Sequence, residues 1–135
     1  MTRLLLTLAF LVPVFRVSAY AHHSFSTHYF EDQTVSIEGE LVQFEYRNPH
    51  AWVHVMAKDA NGQVQRFAAE WCSPIRLTRD GIAGDTLKPG DYVILTGSPG
   101  RNLAEHKLHL KGLERPADGL KAGTARRPGT QFPCY

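Results

Sequence analysis

Cysteine is scarce in this chain. Only Cys72 and Cys134 occur, and no Cys-x-x-Cys pair or finger-type spacing accompanies them, which excludes a zinc finger and a thioredoxin-type redox motif. Lysine is missing from the one glycine-rich loop, "GSPGRN", and no helix pattern follows it, so its glycines serve a turn rather than a phosphate. Long apolar runs are absent after the first 20 or so residues. A bilayer span takes about 20 apolar residues, so nothing beyond the leader can cross a membrane as a helix.

The first 21 residues read as a secretory signal. Arg3 supplies a positive start, Leu4 to Phe15 is almost unbroken apolar sequence, and "VSAYA" provides small residues for cleavage. Cleavage is expected after Ala21, with Ala19 as the other site that fits, and the product is exported to the periplasm or the medium. Arg3 and Arg16 leave with the leader, so 13 basic side chains then face 13 acidic ones. Such a neutral chain lacks the basic footprint of a nucleic-acid binder. The 114 residues that remain are enough for one domain with one core.

Residues 22–33, "HHSFSTHYFEDQ", show neither strand nor helix period and read as a His-rich arm. A domain over 34–115 follows. "TVSIEGELVQFEYR" alternates but changes parity near Gly39 to Val42, which predicts a bulged, curved strand. "AWVHVMAKDANGQVQRFAAEW" predicts a hairpin about Asn61-Gly62. "SPIRLTRDG" predicts a short helix with Ser73 as its cap, Pro74 in its first turn and Gly81 as its stop. Two more alternating strands come from "DYVILTGSP" and "HKLHLKGLER", and residues 116–135 read as a disordered tail. Three strands, a helix and two strands is the order of an all-β, five-stranded OB-like barrel with one helix between strands 3 and 4. An antiparallel sheet with one packed helix is the alternative.

Seven histidines occur, all after the leader. A terminal His22 could chelate through its α-amine and its own Nδ1, a nitrogen pair that suits Cu(II). A second imidazole from the barrel would complete a three-nitrogen histidine brace. His50 is the candidate because Asn48 and Pro49 mark a strand entrance within reach of an arm, and His23 and His28 are substitutes. Cleavage after Ala19 would instead place His22 third from the amine, which is again a copper-competent terminus. A polar terminus that binds nothing is the simpler alternative. Imidazoles bind metal only when neutral, so affinity should fall below about pH 6.

In "NPHAWVHV" strand periodicity places Ala51, Val53 and Val55 on one face and His50, Trp52 and His54 on the other. A rise of about 3.3 Å per residue sets His50 and His54 roughly 13 Å apart, too far to share an ion. Tyr46, Asn48, Trp52, His54, Glu70 and Trp71 are the candidate lining of an aromatic ligand groove. Glu70 could orient an imidazole, although a surface pair with Arg76 or Arg79 is the expectation. His106 and His109, of opposite parity in the last strand, are expected to be ordinary surface or edge residues.

"AHHSF", "RNPHAWVHV", "EWCSPIRLTRDG" and "LKPGDYVILTGSP" together resemble the exported bacterial family Domain of Unknown Function 6152 over about Ala21 to Glu114. The resemblance implies a signal peptide, a compact β-rich domain and no assigned catalytic residue. Cys72 stands where the family pattern has a small residue, and the tail departs from it as well.

The expected function is therefore an exported, non-enzymatic binding module holding one copper ion at its N-terminal histidines. Its rival is a metal-free module that grips a protein, glycan or other small ligand in the aromatic groove around Trp52. A redox enzyme built on a braced copper is a third class, with no visible substrate surface to support it.

Overall fold

The computed structural model describes residues 25–123. Within them a one-turn helix α1 (Phe25–His28) precedes three strands, β1 (Val35–Glu45), β2 (Trp52–Lys58) and β3 (Val64–Glu70). Helix α2 (Pro74–Arg79), strand β4 (Tyr92–Pro99), a 3-10 turn (Leu103–Glu105), β5 (Lys107–Arg115) and β6 (Leu120–Ala122) complete the described residues. Strands run in the order β3-β2-β1-β4-β5-β6, and β3 also pairs in parallel with β5. That last pairing closes β1 to β5 into a five-stranded barrel of OB type. β6 extends the sheet beyond β5.

The alternation seen in the sequence becomes the core. Val53, Val55 and Ala57 of β2 point inward with Leu41, Phe67, Ala69, Val93, Leu95, Leu108 and Leu110. The parity change in β1 is a bulge between Leu41 and Gln43. Asp59 organises the β2–β3 turn by accepting the backbone N–H groups of Asn61 and Gln63, and Gly62 takes the positive φ of 78° that this turn needs. Helix α2 contributes Leu77 to the core. Ser73 occupies its N-cap position without a side-chain cap bond.

One expectation is corrected. The segment after Pro116 is not disordered throughout: Arg115 binds Asp118 through two nitrogens, at 3.0 and 2.8 Å, and the turn they brace leads into β6. Residues 124–135 lie outside the described ones. The arm is structured from Phe25 onward. It wraps the barrel through an isolated bridge between Tyr29 and Gly100, a bond from Phe30 N to the Pro99 carbonyl, and a strap in which Arg101 bonds the carbonyls of Ser26 and His28. The Arg101 guanidinium also lies 4.6 Å above the Phe30 ring. No described helix is long and apolar enough to cross a membrane.

Candidate functional site

Register explains which side chains meet. Glu70 of β3 pairs with His109 of β5, and His109 pairs with Ser98 of β4. Cross-strand partners share a face, so these three form a row across the outside of the barrel. Outside positions are ordinarily solvated, yet Ser98 is 0% and His109 4% exposed. The arm over 25–33 is what covers them. Ser98 Oγ donates to the Gln33 carbonyl at 3.1 Å, His109 Nδ1 meets Glu31 Oε1 at 2.8 Å, and the Phe25 ring stacks flat on the His109 ring, 3.8 Å between centroids. Lys111 holds the Glu31 carbonyl at 3.1 Å.

Glu70 is the hub of this face. Its Oε1 lies 2.7 Å from His50 Nδ1, and its Oε2 accepts the Tyr29 hydroxyl at 2.6 Å. A carboxylate offers no donor, so the proton of the His50 contact sits on Nδ1 and the lone pair of the neutral ring belongs to Nε2. The His50 side chain keeps 24% exposure, and the Phe25 ring approaches it to 5.4 Å. Burial, reinforced by the Glu70 hydrogen bond, raises the Tyr29 phenol above its ordinary value and keeps it a donor. For His109, burial lowers the pKa, and the Glu31 carboxylate opposes that shift without cancelling it.

The groove residues separate. Phe67, Ala69 and Trp71 share the inward parity of β3 and its exit, so Trp71 is 1% exposed in the core while Glu70 faces out. Trp71 therefore does not line a groove with Glu70. Tyr46 is also withdrawn. Its hydroxyl lies 2.8 Å from the Pro74 carbonyl, 2.6 Å from Thr78 Oγ1 and 3.1 Å from the Ile82 carbonyl, locking the end of β1 to α2. Trp52 is half-buried on the outer face, between Glu45 and Glu70 in register. His54 Nε2 contacts Glu45 Oε1 at 2.7 Å, and Arg47 takes the other oxygen. Desolvation raises the Glu45 carboxyl, but the bonds from His54 and Arg47 outweigh it and its pKa is lowered. Asn48 is exposed, and its peptide bond to Pro49 is cis.

Glu70 engages His50 and Tyr29, which corrects the expected pairing with Arg76 or Arg79. Arg76 instead bonds Asp80 at 3.3 Å. His109, taken from its parity as a surface residue, is buried beneath the arm. His28 is exposed on α1, while His22 and His23 lie outside the described residues. Among the described residues no group of three His, Cys, Asp or Glu is spaced to hold a metal ion. Cys72 is disulfide-bonded, and Cys134, the chain's other cysteine, lies outside the described residues.

The family of unknown function DUF6152 matches residues 11–109. The chain belongs to that family. No curated protein matches it in sequence. Among solved structures, the mitochondrial single-stranded DNA-binding protein Rim1 of S. cerevisiae is similar at 13% identity and a TM-score of 0.45, over 61% of this chain and 91% of that one. The ZRD-deleted mutant of TiaS in complex with agmatine is similar at 17% identity and a TM-score of 0.45, over 71% of this chain and 24% of the TiaS chain. The barrel assignment rests on the strand order and its closure by β3 and β5.

Proposed function

We propose that this member of the DUF6152 family is an exported, non-enzymatic binding module that captures one copper ion, with His22 and His50 as its ligands. The carrying observation is the seat of Phe25 against His50. Three Cα–Cα steps lead from Phe25 to His22 and reach at most about 10 Å, and the Phe25 ring is 5.4 Å from the His50 ring. Phe25, the first described residue of the arm, thus lies close enough to His50 to support a His22 ligand within that reach. A carboxylate on the Nδ1 of a ligating histidine is the usual arrangement around bound metals, because it fixes the ring and strengthens the donor. Amine and imidazole nitrogens favour Cu(II) over the other divalent first-row ions. The disulfide at Cys72 fits the oxidising compartment that export implies.

Native mass spectrometry of the exported protein with equimolar Cu(II) tests this reading. The expected result is a chain beginning at His22 that retains one copper, and a His50→Gln variant that loses it. A chain beginning at His22 with no retained copper would overturn the proposal. The aromatic-groove reading is weaker, because Trp71 and Tyr46 are committed to the core and to α2.

A further inference from the structure

We infer that Tyr29 and Glu70 form a positioning chain that sets the tautomer of His50, so that docking of the arm and capture of a metal at His50 are coupled. The inference rests on the reading of His50 as a ligand and names how that ligand is controlled. Tyr29 donates to one oxygen of Glu70 at 2.6 Å and His50 Nδ1 meets the other at 2.7 Å. The two bonds use different oxygens, so together they fix the rotation of the carboxylate as well as its position. Tyr29 itself is 2% exposed and belongs to the arm, where its backbone bridges to Gly100. Glu70 belongs to the barrel, at the end of β3. The chain therefore joins two separate parts of the molecule. When the arm lifts, Glu70 loses the Tyr29 donor and gains rotational freedom, and the carboxylate that selects the Nε2 lone pair of His50 is no longer held in place. Phe25, against both His50 and His109, lifts with the same segment. Metal on His50 and a seated arm then favour each other, by linkage.

The test uses the full mature protein and two near-isosteric variants, Tyr29→Phe and Glu70→Gln. Long-range 15N–1H correlation spectra of metal-free protein read the His50 tautomer directly. Competition against a chromogenic chelator reads Cu(II) affinity. Wild type should show the Nδ1–H form. Glu70→Gln, whose amide can donate to Nδ1, should shift His50 toward the Nε2–H form and weaken Cu(II) binding about 10- to 100-fold. Tyr29→Phe leaves the carboxylate to hold the proton on Nδ1 but frees its rotation, so it should weaken binding several-fold with the Nδ1–H form retained. Unchanged tautomer and affinity in both folded variants would overturn the inference, even if wild type binds copper and His50→Gln does not. Absence of copper binding by wild type would overturn the proposed function instead, and the tautomer spectra would still decide whether the chain operates.

Discussion

Gly39 is the position where the smallest substitution should do the most damage. It lies in the middle of β1, paired with Ala57 of β2 on one side and Val93 of β4 on the other. A Cβ placed there would stand 2.0 Å from the Met56 carbonyl oxygen, 2.9 Å from its carbon and 3.1 Å from Ala57 Cβ. Carbon and oxygen ordinarily approach no closer than about 3.3 Å, so β1 and β2 must part by more than about 1 Å. Two of the three clashing atoms are backbone, which cannot rotate away. Opening the ladder by that much sacrifices at least one interstrand bond, about 1 kcal/mol, on top of an overpacking cost of about 1–3 kcal/mol. A loss of about 3 kcal/mol for Gly39→Ala follows, which at a urea m value of about 1.5 kcal/mol/M moves the unfolding midpoint down by about 2 M. Gly62→Ala is the comparison. Its φ of 78° strains an alanine, but nothing lies within 4 Å of the added carbon, so the cost is the left-handed backbone alone, about 1–2 kcal/mol. Urea titration followed by far-UV circular dichroism measures both. A Gly39→Ala midpoint at or above that of Gly62→Ala would refute the close-approach argument.

Tyr46→Phe removes the hydroxyl that ties β1 to α2 through Pro74, Thr78 and Ile82. It should cost about 1–2 kcal/mol, read as a lower Tm with an unchanged far-UV spectrum, and an unchanged Tm would show that the contacts carry no net energy. The lowered pKa of His109 gives a pH dependence of definite sign. Below about pH 6.5 the unfolded chain binds a proton that the folded one resists, so stability falls with pH from there until the folded imidazole titrates too. Urea midpoints between pH 5 and 8 should show this slope, and His109→Gln should flatten it.

The barrel was legible because its information is local. Period-2 alternation in β2, β4 and β5, the Asn61-Gly62 turn and the parity slip before Gln43 each act within a few residues, and together they specify five strands and a helix in OB order. β6 was missed because its stability is not local. Three residues with one buried alanine, Ala122, carry no strand pattern, and Arg115 holds the connection by reaching Asp118 and, just before the neighbouring β4, Asp91 at 2.6 Å. Trp71 could have been placed from parity alone, since Phe67, Ala69 and Trp71 alternate with Glu70 and cannot share its face. Glu70 and His109 could not. Their outward parity is plain in the sequence, but outward usually means solvated, and only the arm's return over β3, β5 and β4 changes that.

That return also determines what kind of site this is. The barrel contributes a rigid row, Glu70, His109 and Ser98, one residue from each of three adjacent strands. Each member of the row is completed from the arm: Glu70 by Tyr29, His109 by Glu31 and Phe25, and Ser98 by the Gln33 carbonyl. Barrels of this topology host many unrelated functions, so the barrel by itself specifies none. Four arm residues meeting three barrel residues are a more specific arrangement than core formation requires, because the core is already closed beneath them by Leu108, Leu110 and Ala69. His50 stands at the edge of this layer, fixed by it through Glu70 and still open to solvent. Changes confined to residues 25–33 should therefore alter the chemistry available at His50 while leaving the barrel folded, whereas changes to the inward-facing strand positions should remove both together.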